Sequence, residues 1–311
     1  MAVNTRVIRR RIKSVTNTKK ITKAMEMVAA SKMRKAVNSV LSTRPYSTLA
    51  WEMISEISRL TDVATHPLLG KSKKAKDAAL LILITSDRGL CGGFNAQMLK
   101  KVFEFIRAES GRQIDVATIG KKGGDAMRRM KKNVIASFAD LTNNPRAKDV
   151  MPVARLAMDE FVAGKYESVF LAYTDYISAI KQIPRVRQLL PITGISSPLQ
   201  GEAGRGLSDE TTPSPSLVRR GELGGFEFVF EPNPREILEV MLPRLVETQV
   251  FQALLESAAS EHSARMLAMR NASGAAGEMI DDLTFTFNQA RQAAITREIS
   301  EISAGKAVIE G

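Results

Sequence analysis

The 311-residue chain has one cysteine, Cys91, and two histidines, His66 and His262. A single thiol excludes an internal disulfide and any cysteine-based zinc cluster, and two histidines leave little material for a histidine metal site. Aromatic residues make up only 5% of the chain, with one Trp and four Tyr, which is sparse for an all-β sandwich. The longest apolar run is the seven residues 78–84. That falls far short of the roughly 20 needed to span a bilayer, so no membrane-spanning helix is expected. The N-terminus is basic with no apolar stretch behind it, unlike a secretory signal, and a cytosolic, reducing compartment is the default expectation.

What is present is charge, unevenly placed. The net charge is +12. Residues 1–48 hold twelve Lys or Arg and one acidic residue, Glu26, whereas residues 231–311 hold seven basic and twelve acidic residues. A basic arm suggests nucleic acid or an anionic surface. A basic and an acidic chain end also attract each other.

Both ends read as long helices. Over about 3–58, apolar residues recur at Ile8, Ile12, Val15, Ile21, Met25, Val28, Met33, Val37 and Val40, mostly in steps of three and four. Pro45 is expected to bend or interrupt this helix. Over about 234–304, Asn233 reads as an N-cap, Pro234 as the first helical residue and Glu236 as the capping-box partner. A stripe follows through Ile237, Met241, Leu245, Val250, Leu254 and Ala258, then through Ile280, Leu283, Phe287, Ala290 and Ala294. Pro243, Gly274 and Gly277 are the expected weak points. Helices of roughly 80 and 100 Å must bury their stripes against another long helix, and the simplest partner for each is the other, in an antiparallel coiled coil.

Between them the period changes. Expected elements are strands at 80–86, 113–119, 134–138 and 168–174 and helices at 94–108, 121–132 and 151–163, the last with Pro152 in its first turn. More polar edge strands are expected at 177–190 and 226–231. Strand alternating with helix implies an α/β layered domain with a mostly parallel, Rossmann-like sheet. The expected organisation is an N-terminal helix at 1–60, an α/β domain at 77–232 and a C-terminal helix at 233–305. Within the α/β domain, residues 196–222 form a flexible insertion: twelve of these 27 residues are Gly, Pro or Ser.

No motif carries chemistry. The turn at Gly89, Gly92 and Gly93 matches neither GxGxxG nor GxxxxGK, and Gly120-Lys121-Lys122-Gly123 lacks the remaining elements of a phosphate loop. Both read as tight strand-to-helix turns. Asp87 and Arg88 read as a local ion pair, His262 as a packing or capping residue, and Met25, Met27, Met33, Met266 and Met269 as core fillers. No cofactor and no metal are expected.

Several long stretches resemble the gamma-subunit family of the rotary proton-translocating ATP synthases: NTKKITKAMEMVAASKMRKA at 17–36, ITSDRGLCGGFN at 84–95, EPNPREIL at 231–238, SEHSARMLAMRNAS at 260–273 and NQARQAAITREISEI at 288–302. The resemblance covers nearly all of the chain outside 196–222. It implies a non-catalytic shaft whose terminal helices turn inside a ring of three alpha and three beta subunits. The α/β domain would bind the epsilon subunit and the polar loops of the membrane c-ring. It implies coupling or rotor–stator roles for Met25, Lys23, Arg265, Gln292, Thr296 and Glu298, and c-ring contact for Phe228, which replaces a tyrosine common in the family, and Glu231. Lys20, Lys23 and Lys32 would face acidic loops of beta, lie on a solvated face, or bridge to the acidic C-terminal helix. Small and apolar residues from Ala293 to Ala304 would form a bearing or pack on the N-terminal helix. The implied location is peripheral, on the cytoplasmic face of a bacterial inner membrane or a thylakoid-type membrane. The insertion, which contains no cysteine, is not a thiol switch. Two other readings compete. A basic nucleic-acid-binding or scaffold protein is disfavoured because residues 1–45 contain no aromatic. A nucleotide-dependent enzyme is disfavoured because the fingerprint is missing.

Overall fold

The computed structural model describes residues 5–60, 66–70, 77–143, 145–192 and 234–310. Ten elements follow in order: α1 (Thr5–Leu60), β1 (Ala78–Ile84), α2 (Phe94–Ala108), β2 (Gln113–Ile119), α3 (Lys121–Arg129), β3 (Val134–Phe138), α4 (Ala147–Val162), β4 (Ser168–Tyr176), β5 (Gln182–Leu190) and α5 (Pro234–Glu310). The insertion at 196–222, the strand expected at 226–231 and the Asn233 cap lie outside the described residues.

The sheet has the order β3-β2-β1-β4-β5. β1 pairs in parallel with β2 and β4, β2 in parallel with β3, and β5 runs antiparallel to β4 at the edge. Central β1, AALLILI, is buried at every position, as a strand covered on both faces must be. Leu81 and Leu83 meet Met98 and Val102 of α2 and Met127 of α3 on one face. Leu80, Ile82 and Ile84 meet Val153, Ala157 and Phe161 of α4 and Leu242, Leu245, Val250 and Leu254 of α5 on the other. The C-terminal helix is therefore one of the layers covering the sheet. From Gln252 to Ser263 it is buried on all sides, because the sheet domain and α1 enclose it together.

At the ends of β1 and β2 two backbones nearly touch. Gly120 has φ +97°, and a Cβ there would lie 2.1 Å from the Thr85 carbonyl oxygen. Only glycine fits such a crossing.

Neither long helix is interrupted at its expected weak points. α1 runs through Pro45 and α5 through Pro243, Gly274 and Gly277 without a break. Packing along a long helix outweighs a local propensity cost of about 1–3 kcal/mol. At Gly277 the missing side chain admits Lys19, whose Nζ lies 3.0 Å from where a Cβ would be. Pro152 sits one turn further into α4 than expected, since that helix begins at Ala147.

The helices pair antiparallel. Arg9 lies over the Phe287 ring at 5.4 Å, Thr43 donates to Gln252 at 2.7 Å, and Gln249 donates to Ser47 at 3.4 Å. Val40 and Ala36 pack with Leu255 and Ala259. A seam of buried and half-buried positions on α1 follows alternating steps of four and three through Ile8, Ile12, Val15, then Thr22, Glu26, Ala29, Met33, Ala36, Val40, Thr43 and Ser47, with Thr16, Met25, Ala30, Val37 and Arg44 half-buried beside it. Lys19 occupies the remaining step and is exposed. On α5 the same steps link Met269, Ser273, Ala276, Ile280, Leu283, Phe287 and Ala290. The expected apolar stripe on α1 is thus partly wrong. Ile21 and Val28 are 60% and 57% exposed and point away from the seam, as does Met27 at 61%. Alanine, threonine and glutamate hold the seam where larger apolar side chains were expected.

Candidate coupling surface

Three places hold the residues singled out from sequence. The first is the middle of α1. Met25 is half-buried and Lys23 exposed, with Lys23 Nζ paired to Glu26 at 3.0 Å. Lys19, Lys20, Lys23, Glu26 and Met27 line one side of a groove of about 750 Å³, with Arg270, Ser273 and Gly274 opposite. Lys32 points elsewhere: its ammonium donates to Asn143 Oδ1 at 3.1 Å, tying α1 to the loop after β3. An ion pair that does cross to the acidic helix is Arg44 with Glu256, at 3.2 Å.

The second place is Arg265. Its guanidinium is turned inward on the chain. Nη1 pairs with Glu261 at 2.8 Å and lies 3.4 Å from His262 Nδ1, while Nη2 donates to the carbonyls of Arg88 and Gly89, each at 3.3 Å. Arg265 thus fastens the 86–93 turn onto α5. Gly92 lies in the same turn at φ +55°, a left-handed conformation that favours glycine, with its Cβ position at ordinary contact distance, 3.8 Å, from Ala268 Cβ of α5. Glu261 is buried, and burial raises its carboxyl pKa, partly offset by Arg265. His262 is driven down to about 4 by burial first, then by Arg265 and Lys32, so it is neutral at pH 7. This is a packing histidine.

The expected Asp87–Arg88 pair is replaced by a different use of Asp87. Its two carboxylate oxygens accept the backbone N–H groups of Lys121 and Asp140, at 3.1 and 3.0 Å. That bond answers the phosphate-loop question as well. Of the first N–H groups of α3, Lys121 goes to Asp87, Lys122 to the Ser86 carbonyl at 3.1 Å and Gly123 to Thr85 Oγ1 at 2.8 Å. A helix N-terminus binds phosphate through free N–H groups, and these donors are already occupied. Cys91 is buried against Ser86 and Asn95. Among the described residues no group of three or more His, Cys, Asp or Glu could hold a metal ion.

The third place is the end of α5. Every residue from Arg291 to Ala304 is exposed, including Gln292, Thr296, Glu298, Ile295, Ile299 and Ile302. The α1 partner opposite Phe287 is Arg9, so little of α1 remains to cover the residues of α5 beyond Phe287. Of the two expectations for these small and apolar residues, packing against the described part of α1 is not what the structure has. Phe228 and Glu231 lie outside the described residues. The Arg265 latch was hidden from sequence reasoning because its partners are main-chain carbonyls some 176 positions away.

No helix among the described residues is long and apolar enough to cross a membrane. A family model described as ATP synthase matches residues 4–309. The ATP synthase gamma chain of Chloroflexus aurantiacus is 41% identical over 98% of this chain and 99% of its own length. That of Moorella thermoacetica is 41% identical over 96% and 97%. The fold matches a chain of the Euglena gracilis mitochondrial ATP synthase assembly of OSCP, F1 and c-ring with a TM-score of 0.63 at 18% identity, covering 98% of this chain and 94% of that one. It also matches a chain of the Tetrahymena thermophila mitochondrial ATP synthase central stalk and c-ring, with a TM-score of 0.58 at 24% identity, covering 81% and 99%. With near-complete coverage at this identity, the chain belongs to the ATP synthase gamma-chain family.

Proposed function

We propose that this chain is the central shaft of a rotary ATP synthase and couples c-ring rotation to ATP synthesis or hydrolysis in the alpha and beta subunits. The observation that carries this reading is the course of α5. It begins as a layer of the sheet domain, continues as half of a two-helix stem, and ends in a helix segment exposed on every face. The four-three spacing of both seams supports a left-handed antiparallel coiled coil. A stem of this kind is asymmetric about its axis. A ring of otherwise identical catalytic sites responds to a shaft only if the shaft contacts their open and closed forms differently.

The chemistry belongs to the ring, and this chain is its non-catalytic component. Met25 and Lys23 would meet the ring along the stem, and Gln292, Thr296 and Glu298 would meet it at the tip. Arg265 acts indirectly, by holding the 86–93 turn. Phe228 and Glu231 would contact the c-ring, and the sheet domain would bind epsilon. The membrane association is peripheral, through the complex, on the cytoplasmic face.

The experiment is to assemble full-length chain with its alpha and beta subunits, fix the ring to glass, and follow a bead attached to the sheet domain during ATP hydrolysis. Unidirectional rotation is expected. A chain ending at Arg291 should assemble with less torque. A full-length chain that stays still while the ring hydrolyses ATP overturns the reading.

A further inference from the structure

A buried charged cluster lies apart from the coupling surface, where α1, α5 and the β4–β5 edge meet. At its centre Glu256 of α5 is 2% exposed. Its carboxylate accepts from Arg44 of α1 at 3.2 Å and from Gln252 of its own helix at 2.9 Å. Thr43 of α1 donates to the Gln252 carbonyl oxygen, which fixes the amide so that its NH2 faces Glu256. The sheet brings further groups. Asp175 and Tyr173 of β4 lie close enough for their electrostatics to couple to Glu256, while Arg185 of β5 pairs with Asp175 at 2.9 Å and Arg187 donates to the Tyr173 hydroxyl at 3.2 Å. Thus Asp175 is matched by Arg185. Among the described residues the cation in direct contact with Glu256 is Arg44, whose side chain is 34% exposed, so water weakens its hold.

We propose that Glu256 is a proton-binding residue at the root of the stem, and that its ionisation loosens α1 from α5 at the level of the sheet. Burial, then the charge of Asp175, raise its carboxyl to about 7, against the opposing pull of Gln252 and Arg44. If α1 swings away, water reaches the carboxyl and its affinity for a proton falls back toward the ordinary 4.5. The docked form therefore holds more protons between about pH 4.5 and 7. Docking is tightest below that window, weakens up to tenfold per pH unit across it, and changes no further above it. The proton leaves to solvent, and in the opened form water solvates both the carboxylate and Arg44. The proposal concerns contacts within the chain and stands apart from the rotary reading.

The test is hydrogen exchange of the full-length chain between pH 5 and 8, corrected for the intrinsic rate, comparing amides of residues 38–47 with those of β1. In the wild type, protection at 38–47 should fall at least tenfold between pH 5 and 7.5 while β1 changes little. Glu256→Gln should abolish that fall. Asp175→Asn should move its midpoint to lower pH, which keeps the proposal testable if the glutamine variant does not fold. A pH-independent wild type, an equal change in β1, or a fall that survives in Glu256→Gln overturns the proposal. Whole-chain unfolding is the wrong readout, because His262 titrates with the opposite sign in the same range.

Discussion

Gly120→Ala should be among the most damaging single-methyl changes in this protein. The new Cβ would sit 2.1 Å from the Thr85 carbonyl oxygen, 2.7 Å from its carbonyl carbon and 2.9 Å from its Oγ1. The oxygen must retreat by about 1 Å to reach the closest separation real Cβ atoms show, near 3.0 Å. Three hydrogen bonds of 2.8 Å depend on that spot: Thr85 N–H to the Ile119 carbonyl, Gly120 N–H to the Phe138 carbonyl, and Gly123 N–H to Thr85 Oγ1. Losing two of them costs about 1 kcal/mol each. Holding alanine near φ +97° adds about 1–3 kcal/mol. The expected loss is roughly 3–5 kcal/mol, a large part of the 5–15 kcal/mol typical of a folded domain. Thr85 leads directly into the turn that Arg265 holds, so the change should also unsettle the seat of that turn on α5. The assay is urea unfolding of the full-length chain by circular dichroism, beside Gly111→Ala. Gly111 has nothing within 4 Å of its Cβ position, so its alanine variant should stay within about 0.5 kcal/mol of wild type. Equal unfolding midpoints for the two variants would refute the argument.

Arg265→Ala leaves the buried Glu261 carboxylate without its guanidinium, and should lower stability by roughly 3 kcal/mol in the same assay; faster exchange of the 88–93 amides would separate loss of the latch from general loosening. His262 is neutral in the fold and titrates ordinarily when unfolded, so its contribution to stability is complete above pH 6.5 and is lost as pH falls toward 4. His262→Gln should flatten that part of the stability–pH curve, by up to roughly 3 kcal/mol, and an unchanged slope would assign it to another group. Met25→Lys places a cation beside Lys23 on a half-buried site of the stem; proton pumping per ATP should fall more than the unfolding midpoint does, and normal coupling would remove Met25 from the surface. Removing residues 292–311 takes away helix whose described side chains, through Ala304, are exposed, so it should leave the unfolding midpoint of the remainder within about 0.5 kcal/mol of wild type.

The sequence by itself determined the elements whose signal is local and repeated. The Pro234 helix start and the alternation of strand and helix appear where expected, and the apolar run forms a strand at 78–84, two residues before the expected 80–86, because burial on two faces, a fixed φ and a change of period are written into neighbouring residues. Two long helices with opposite charge also foretold their antiparallel pairing. The tertiary structure decided which face of each helix is the seam. Ile21 and Val28 fit a helical stripe as well as Ala29 and Thr22 do, and only the partner helix selects the latter, since close approach favours small side chains. It also decided what the charged residues do. Asp87 turns from Arg88 to two distant amides, Arg265 reaches back to the 88–89 carbonyls, and Glu256 is enclosed by three elements. The partners in each case are set by chain crossings far apart in sequence, and no local pattern records them.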